Sequence, residues 1–445
     1  MLPEPALTCT VPSVHDGLPL DCRVYHPAPL RASSQTAPWT RRHAAVLAHP
    51  YAPLGGSFDD PVVDVVGATL LKEGYLLCTF NFRGAGHSAG KTSWTAKPER
   101  LDFQSVVAFL SYYIHHLDPV QGASSDRDEP PTTLDGVANG APTDTTTACE
   151  RPVLVIGGYS YGSLITAQLP PLETILEPFA APSSASHEAQ IRLRAASLAE
   201  QQNTIIRRAR DALRESSSPK KSPSKRGVRI GGGDDGALSP RRSTSAGGRS
   251  RSVSRELEEK LHDLAAKTKA SLAAAAPRPH RHVPSETSAL DKVPEESTSD
   301  GPAQGRLPRL PAFAAPRPAY LLLSPIPGLA SHLVTLRVLP GALSRARRPE
   351  DDPAEAKLVR RPTLAVHGGA DLFVLPYKAR EWVARLAGAA GSRFRGIEVP
   401  AAGHFWAELG VLDTLLALVR EFASGLVMDR EETGMVPEDA NGVDG

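Results

Sequence analysis

Cysteine is scarce in this sequence: Cys9, Cys22, Cys78 and Cys149 are the four in 445 residues. None stands in a CxxC or Cys/His metal spacing, and so few in so long a chain argue against a disulfide framework. Cys78 sits in an apolar run and reads as a buried thiol. An excess of one charge is also lacking. Lysine and arginine number 50 against 49 for aspartate and glutamate, a formal net charge of +1. No overall field therefore argues for nucleic acid or a membrane surface as the main partner. No stretch approaches the roughly 18 apolar residues that a membrane span needs. The opening MLPEPALTCTVPSVHDG has neither a basic start nor an apolar core, so no export signal is expected. These absences predict a soluble protein of a reducing compartment, the cytoplasm.

Proline, by contrast, is plentiful. Its 41 residues are roughly twice the average usage of about 5%, a sign that part of the chain is not packed. Periodicity divides the chain accordingly. Ala6–Val11 and Leu18–Tyr25 flank an Asp16-Gly17 turn signal and predict an antiparallel hairpin. Short apolar runs follow at Ala44–Ala48, Leu76–Phe80 and Val153–Ile156, with helical patterns near Pro61–Lys72 and Asp102–His115. Later strands are expected at Tyr320–Leu323, Thr363–Val366 and Gly396–Val399, and helices near Tyr377–Leu386 and Phe405–Phe422. Strands alternating with helices predict an α/β, doubly wound, mostly parallel sheet.

Two stretches break this rhythm. Residues 118–150 are polar, without a period, and predict a disordered surface loop. Residues 181–317 are dominated by Ser, Arg, Pro and Ala and predict a largely disordered insertion, with candidate helices at His187–Leu213 and Arg255–Ala274. The core is then expected in three pieces, 1–117, 151–180 and 318–428, followed by an acidic tail at 429–445. Together they make about 260 residues, a reasonable size for one domain.

The chemistry is suggested by RPVLVIGGYSYGS, residues 151–163. It contains Gly158-Tyr159-Ser160-Tyr161-Gly162, a G-x-S-x-G pattern that is weak alone and gains meaning from its setting. An apolar strand precedes it and a helix start follows. Such a strand-turn-helix forces the serine into a strained backbone and lifts its hydroxyl out of the sheet. It also leaves the Tyr161 amide at a helix N-terminus, where it can donate to an oxyanion. A serine hydroxyl needs a base, and the base needs a partner to orient it. LAVHGGADLF supplies Asp371 and GIEVPAAGHFW supplies His404, each just past an expected strand. The carboxyl ends of strands are where open α/β sheets place their sites. Each residue also has a structural alternative, Asp371 as a cap for the helix from Tyr377 and His404 as a neighbour of a helix start.

With these motifs the chain resembles the α/β-hydrolase superfamily, in particular small bacterial and fungal members with "HPxP…GG" and "NFRGxGxSxG" signatures. Here they stand as His49-Pro50-Tyr51-Ala52-Pro53-Leu54-Gly55-Gly56 and Asn81-Phe82-Arg83-Gly84-Ala85-Gly86-His87-Ser88-Ala89-Gly90. The second proline of the first signature is shifted to Pro53, and the 181–317 insertion has no counterpart in compact relatives. The resemblance implies an eight-stranded α/β-hydrolase fold and a Ser160/Asp371/His404 hydrolase. It also implies that Tyr51 supplies the second oxyanion amide. The activity expected is esterase-like cleavage of a carboxylic ester or thioester through an acyl-serine, on a small-molecule acyl substrate. Acyl transfer to another acceptor stays open. His49 is expected to brace its loop, with a role as a second base as the alternative. Arg83 is expected to brace the loop beneath the site, with an acidic substrate as the alternative. Asp102 is expected to cap the following helix.

No cofactor or metal is expected. The glycine-rich stretches lack the phosphate-loop lysine and dinucleotide spacing, and His262, His280 and His282 have no ligand-spaced carboxylates. A rival reading belongs to another class. Ser218-Pro219, Ser222-Pro223 and Ser239-Pro240 lie among lysines and arginines, so the core would be a catalytically weak or inactive scaffold whose phosphorylatable segment, 215–255, meets kinase or protein partners. PKKSPSKR there also loosely resembles a nuclear localisation signal, which leaves a nuclear location open. Residues 324–346 are apolar and read equally as a small cap or an ordinary packed helix.

Overall fold

A computed structural model describes residues 1–30, 42–118, 151–217, 305–326 and 352–428. All of the loop expected at 118–150 except its first residue, the basic stretch 218–304, most of the candidate cap and the acidic tail lie outside the described residues. The helix expected at Arg255–Ala274 lies outside them as well.

Eight strands form one sheet: β1 (Leu7–Pro12), β2 (Pro19–Tyr25), β3 (Ala44–Ala48), β4 (Leu76–Phe80), β5 (Val153–Tyr159), β6 (Arg317–Leu323), β7 (Thr363–Gly368) and β8 (Phe394–Val399). Their order is β1-β2-β4-β3-β5-β6-β7-β8. The β1–β2 hairpin is antiparallel and β2 joins β4 antiparallel; every other pairing is parallel. The expected hairpin and mostly parallel sheet are both present. Because β3 to β8 run the same way, their carboxyl ends share one edge.

The helices are α1 (Pro61–Lys72), α2 (Lys97–His116), α3 (Tyr161–Gln168), α4 (Leu172–Ala180), α5 (His187–Ser217), α6 (Pro353–Arg360), α7 (Pro376–Ala387) and α8 (Val411–Met428). Alternate strand residues face two separate cores. Val46, Ile156, Tyr320 and Leu322 pack with Phe103 and Phe109 of α2 and Ile165 of α3. Leu47, Val155, Leu321 and Val366 pack on the other face with Val66 and Leu70 of α1 and Leu415 and Val419 of α8. Helices on both faces bury both sides of the strands, so the strands read as continuous apolar runs. Among the described residues, no helix is long and apolar enough to cross a membrane.

Three boundaries depart from expectation. Helix α2 begins at Lys97, so Asp102 lies inside it and caps nothing. Helix α8 begins at Val411 and not near Phe405, because Trp406 (φ 56°) and Gly410 (φ 77°) are left-handed, which a right-handed helix excludes. The candidate helix at His187–Leu213 is present as α5 (His187–Ser217), and the segment read as an insertion from 181 starts with it as folded body. Ile191, Ala195, Ala199 and Ile206 of α5 are buried in the same core as α2.

Candidate active site

Strand β5 ends at Tyr159 and α3 starts at Tyr161, so Ser160 alone makes the turn, at φ 55°, ψ −113°. Its amide donates to the Leu323 carbonyl at the end of β6 (2.8 Å). The flanking glycines are required by space. A Cβ on Gly158 would lie 2.3 Å from the Gly162 carbonyl carbon, and one on Gly162 would lie 2.4 Å from the Ala48 carbonyl oxygen. Larger residues would push α3 away from β3 and β5.

The turn aims the Ser160 hydroxyl at His404, with Oγ 2.8 Å from Nε2. His404 Nδ1 lies 2.7 Å from Asp371 Oδ2. With Asp371 as acceptor, Nδ1 carries the ring proton and Nε2 is left to accept from the serine. The three residues come from loops after β5, β7 and β8 and are all buried, at 8%, 5% and 6% exposure. Asp371 does not cap α7. Its Oδ1 accepts from the amides of Phe373 (2.8 Å) and Val374 (3.0 Å), which fixes the carboxylate within its own loop.

The His404 loop is held by residues that sequence reading did not single out. Its carbonyl accepts from the Tyr159 hydroxyl (2.8 Å) and the Ser324 hydroxyl (3.3 Å). Trp406 Nε1 donates to Ser324 Oγ (3.0 Å), and the Gly403 amide donates to Glu408 Oε2 (2.9 Å). Burial pushes the Tyr159 hydroxyl well up from the usual tyrosine range, so it stays protonated as a donor. The only sequence signal for Tyr159 was its place in the G-x-S-x-G stretch.

Tyr161 opens α3, where a first-turn amide has no intrahelical carbonyl to meet. Tyr51 stands in the loop after β3, just before a single 3₁₀ turn at Ala52–Leu54. Their rings meet edge-on at 5.1 Å, so the two residues named as oxyanion donors are neighbours. His49 is buried, accepts the Phe82 amide at Nε2 (2.9 Å) and donates from Nδ1 to the Pro50 carbonyl (2.6 Å). Burial holds it neutral, pushed down to about 4. It braces two loops with both nitrogens. Arg83 likewise braces. Its guanidinium binds Asp102 (2.6 and 2.8 Å), Asp16 (2.9 and 3.2 Å) and Ser13 (3.3 Å). Asp102, fully buried, is thus the counter-charge of Arg83, which corrects its expected capping role.

A cavity of about 410 Å³ opens at this edge, lined by Ser160 and His404 and walled by Tyr51, Trp94, Tyr161 and Phe373. Among the described residues, no group of three or more His, Cys, Asp or Glu side chains is placed to hold a metal ion.

No protein-family model matches the chain, and no curated protein matches it. Among solved structures it is similar to an α/β serine hydrolase without lid from Xanthomonas campestris, with 14% identity over 96% of this chain and 97% of that one, at a TM-score of 0.38. It is also similar to an esterase from Pyrococcus furiosus, with 12% identity over 94% and 89%, at 0.39. A third is the mouse α/β hydrolase domain-containing protein 10, with 10% identity over 95% and 100%, at 0.34. Overlaps this loose carry no argument about activity. The strand order, the antiparallel second strand and the helices on both faces are by themselves the α/β-hydrolase arrangement that the sequence resemblance implied.

Proposed function

We propose that the chain is a serine hydrolase that cleaves a small-molecule carboxylic ester or thioester through an acyl-serine. The observation that carries this reading is the unbroken relay from Ser160 Oγ through His404 to Asp371, assembled from three strand ends. A hydroxyl, an imidazole acceptor and an orienting carboxylate at hydrogen-bond distances are what nucleophilic acyl transfer needs.

The steps balance within this site. His404 Nε2 takes the Ser160 proton as Oγ bonds to the acyl carbon. The Tyr161 and Tyr51 amides receive the oxyanion, each such donor contributing about 2.7–4 kcal/mol in the transition state. Collapse breaks the bond to the leaving alcohol or thiol, which departs with the proton held by His404. Water then attacks the acyl carbon while His404 takes its proton, releasing the acid and restoring Ser160. The cavity of about 410 Å³ falls in the range of about 300–1,000 Å³ typical of small-ligand sites.

A serine-directed fluorophosphonate tests the reading. Wild type should be labelled at neutral pH and Ser160→Ala should not. An unlabelled wild type, or equal labelling of both proteins, overturns it. The scaffold alternative rests on residues 215–255, nearly all of which lie outside the described residues, and no observation favours it.

A further inference from the structure

One carboxylate in the cavity is not used by the relay. Asp60 lines the same cavity as Ser160 and His404 and is 6% exposed. Its Oδ1 accepts from the amides of Val62 (2.9 Å) and Val63 (3.2 Å), which caps α1. Its Oδ2 has no hydrogen-bond partner among the described residues, yet it is not sealed in protein. A buried acceptor oxygen without a protein donor, on a residue in a cavity wall, calls for a donor from the occupant.

The surroundings set the sign of that donor. Among the described residues lining the cavity there is no lysine or arginine. The other acidic residue of the wall, Asp59, is already paired with Arg23. Tyr51, Trp94, Tyr161 and Phe373 supply aromatic surface, whose electron-rich faces attract cations. Trp94 is 89% exposed, and its loop is pinned where Glu99 accepts from the Ser93 amide and hydroxyl.

We infer that Asp60 is a specificity-determining residue, its free oxygen accepting a hydrogen bond from a protonated amine on an otherwise apolar ligand. An ammonium group gives the buried carboxylate the counter-charge it lacks, whereas a carboxylate or phosphate on the ligand meets like charge. As a statement about substrate, an amine-bearing ester, the inference rests on the acyl-serine reading; as a statement about binding it does not. Burial pushes the Asp60 carboxyl up to about 7, as befits a carboxylate without a cation beside it.

The test uses full-length Ser160→Ala, so that binding is read without turnover. At pH 8, calorimetric titration with hexylammonium and with hexanoate should show the cation binding at least about tenfold tighter, the worth of one charge-assisted hydrogen bond. Adding Asp60→Asn keeps the Oδ1 acceptor of the cap and turns the unpartnered oxygen into an NH₂ donor. The preference should then vanish or reverse. Asp60→Ser, also a good helix cap, removes the free oxygen altogether and should abolish the preference too. Equal binding of the two ligands, no binding of hexylammonium, or a preference that survives both replacements overturns the inference. If the preference behaves as stated while wild type resists fluorophosphonate, the acyl-serine reading fails and the cation site stands.

Discussion

Asp371→Asn is the sharpest perturbation of the relay, because the residue carries two separable sets of bonds. Oδ1 holds the Phe373 and Val374 amides, and an asparagine oxygen can hold them equally. Its NH₂ group then faces His404 Nδ1, where the wild type has a carboxylate oxygen at 2.7 Å. Two N–H groups cannot share that contact, so the imidazole moves its proton to Nε2. That is the nitrogen that must accept from Ser160. A wrong tautomer of this kind lowers turnover by about 10⁴-fold, or about 5.5 kcal/mol at roughly 1.36 kcal/mol per decade. The second-order rate of fluorophosphonate labelling reads this loss without knowledge of the substrate. The thermal midpoint should barely move, since the loop keeps its amide acceptors. Asp371→Ala should lose reactivity and also melt earlier, with two amides left unpaired. Labelling of Asp371→Asn within tenfold of wild type, in a protein where Ser160→Ala is unlabelled, would refute the role of Asp371 as the orienting group.

Two predictions concern stability. Lys357 is buried and donates to the carbonyls of Thr166 (2.9 Å), Ala167 (2.9 Å) and Leu169 (2.5 Å) at the end of α3, three acceptors that take all three ammonium protons. Burial pushes its amine down to about 7, against the opposing pull of the Asp352 charge. Lys357→Met should cost about 1–3 kcal/mol by leaving the carbonyls unpaired, seen as a fall in Tm of about 2–4 °C per kcal/mol; an unchanged Tm refutes the role. His26, packed on the Tyr113 hydroxyl (2.9 Å), is pushed down to about 4 by burial. Between about 4 and the usual 6.5 the unfolded chain binds the extra proton, so stability falls as pH drops through that window. His26→Gln should make the pH dependence of urea unfolding between pH 6.5 and 4 shallower, with buried His49 still contributing to it, and a slope equal to wild type would count against the assignment.

Much of the site was legible because it is local. The run before Ser160, the glycines on both sides and the strand ends ahead of Asp371 and His404 all follow from short-range pattern, and β3, β4 and α1 fall where the apolar runs place them. What escaped the sequence depends on distant partners. Helix α5 carries its core residues as isolated Ile and Ala in a charged background, so composition hid a buried stripe. The 102–83 ion pair spans 19 residues, and nothing near Asp102 marks it as a counter-charge and not a cap. Asp60 is fully explained locally as the cap before Pro61. Only the folded chain places it in the wall of Ser160's cavity.

The distribution of backbone strain points to the same edge of the sheet. Among the described residues, five that are not glycine have positive φ: Arg42, Ala96, Ser160, Ser324 and Trp406. Ala96 and Ser160 line the cavity, and Ser324 and Trp406 hold the His404 loop. Each such conformation costs about 1–3 kcal/mol and persists only where its surroundings over-determine it. Here those surroundings can be named. The Ser160 amide is tied to β6 through Leu323, the Ser324 amide to β7 through Val366, and the Trp406 indole to Ser324 itself. Strain at one strand end is thereby braced by the next strand. A cavity kept only for packing would have no reason to concentrate strained residues around one hydroxyl and one imidazole. A site that must hold both at 2.8 Å before any ligand enters does.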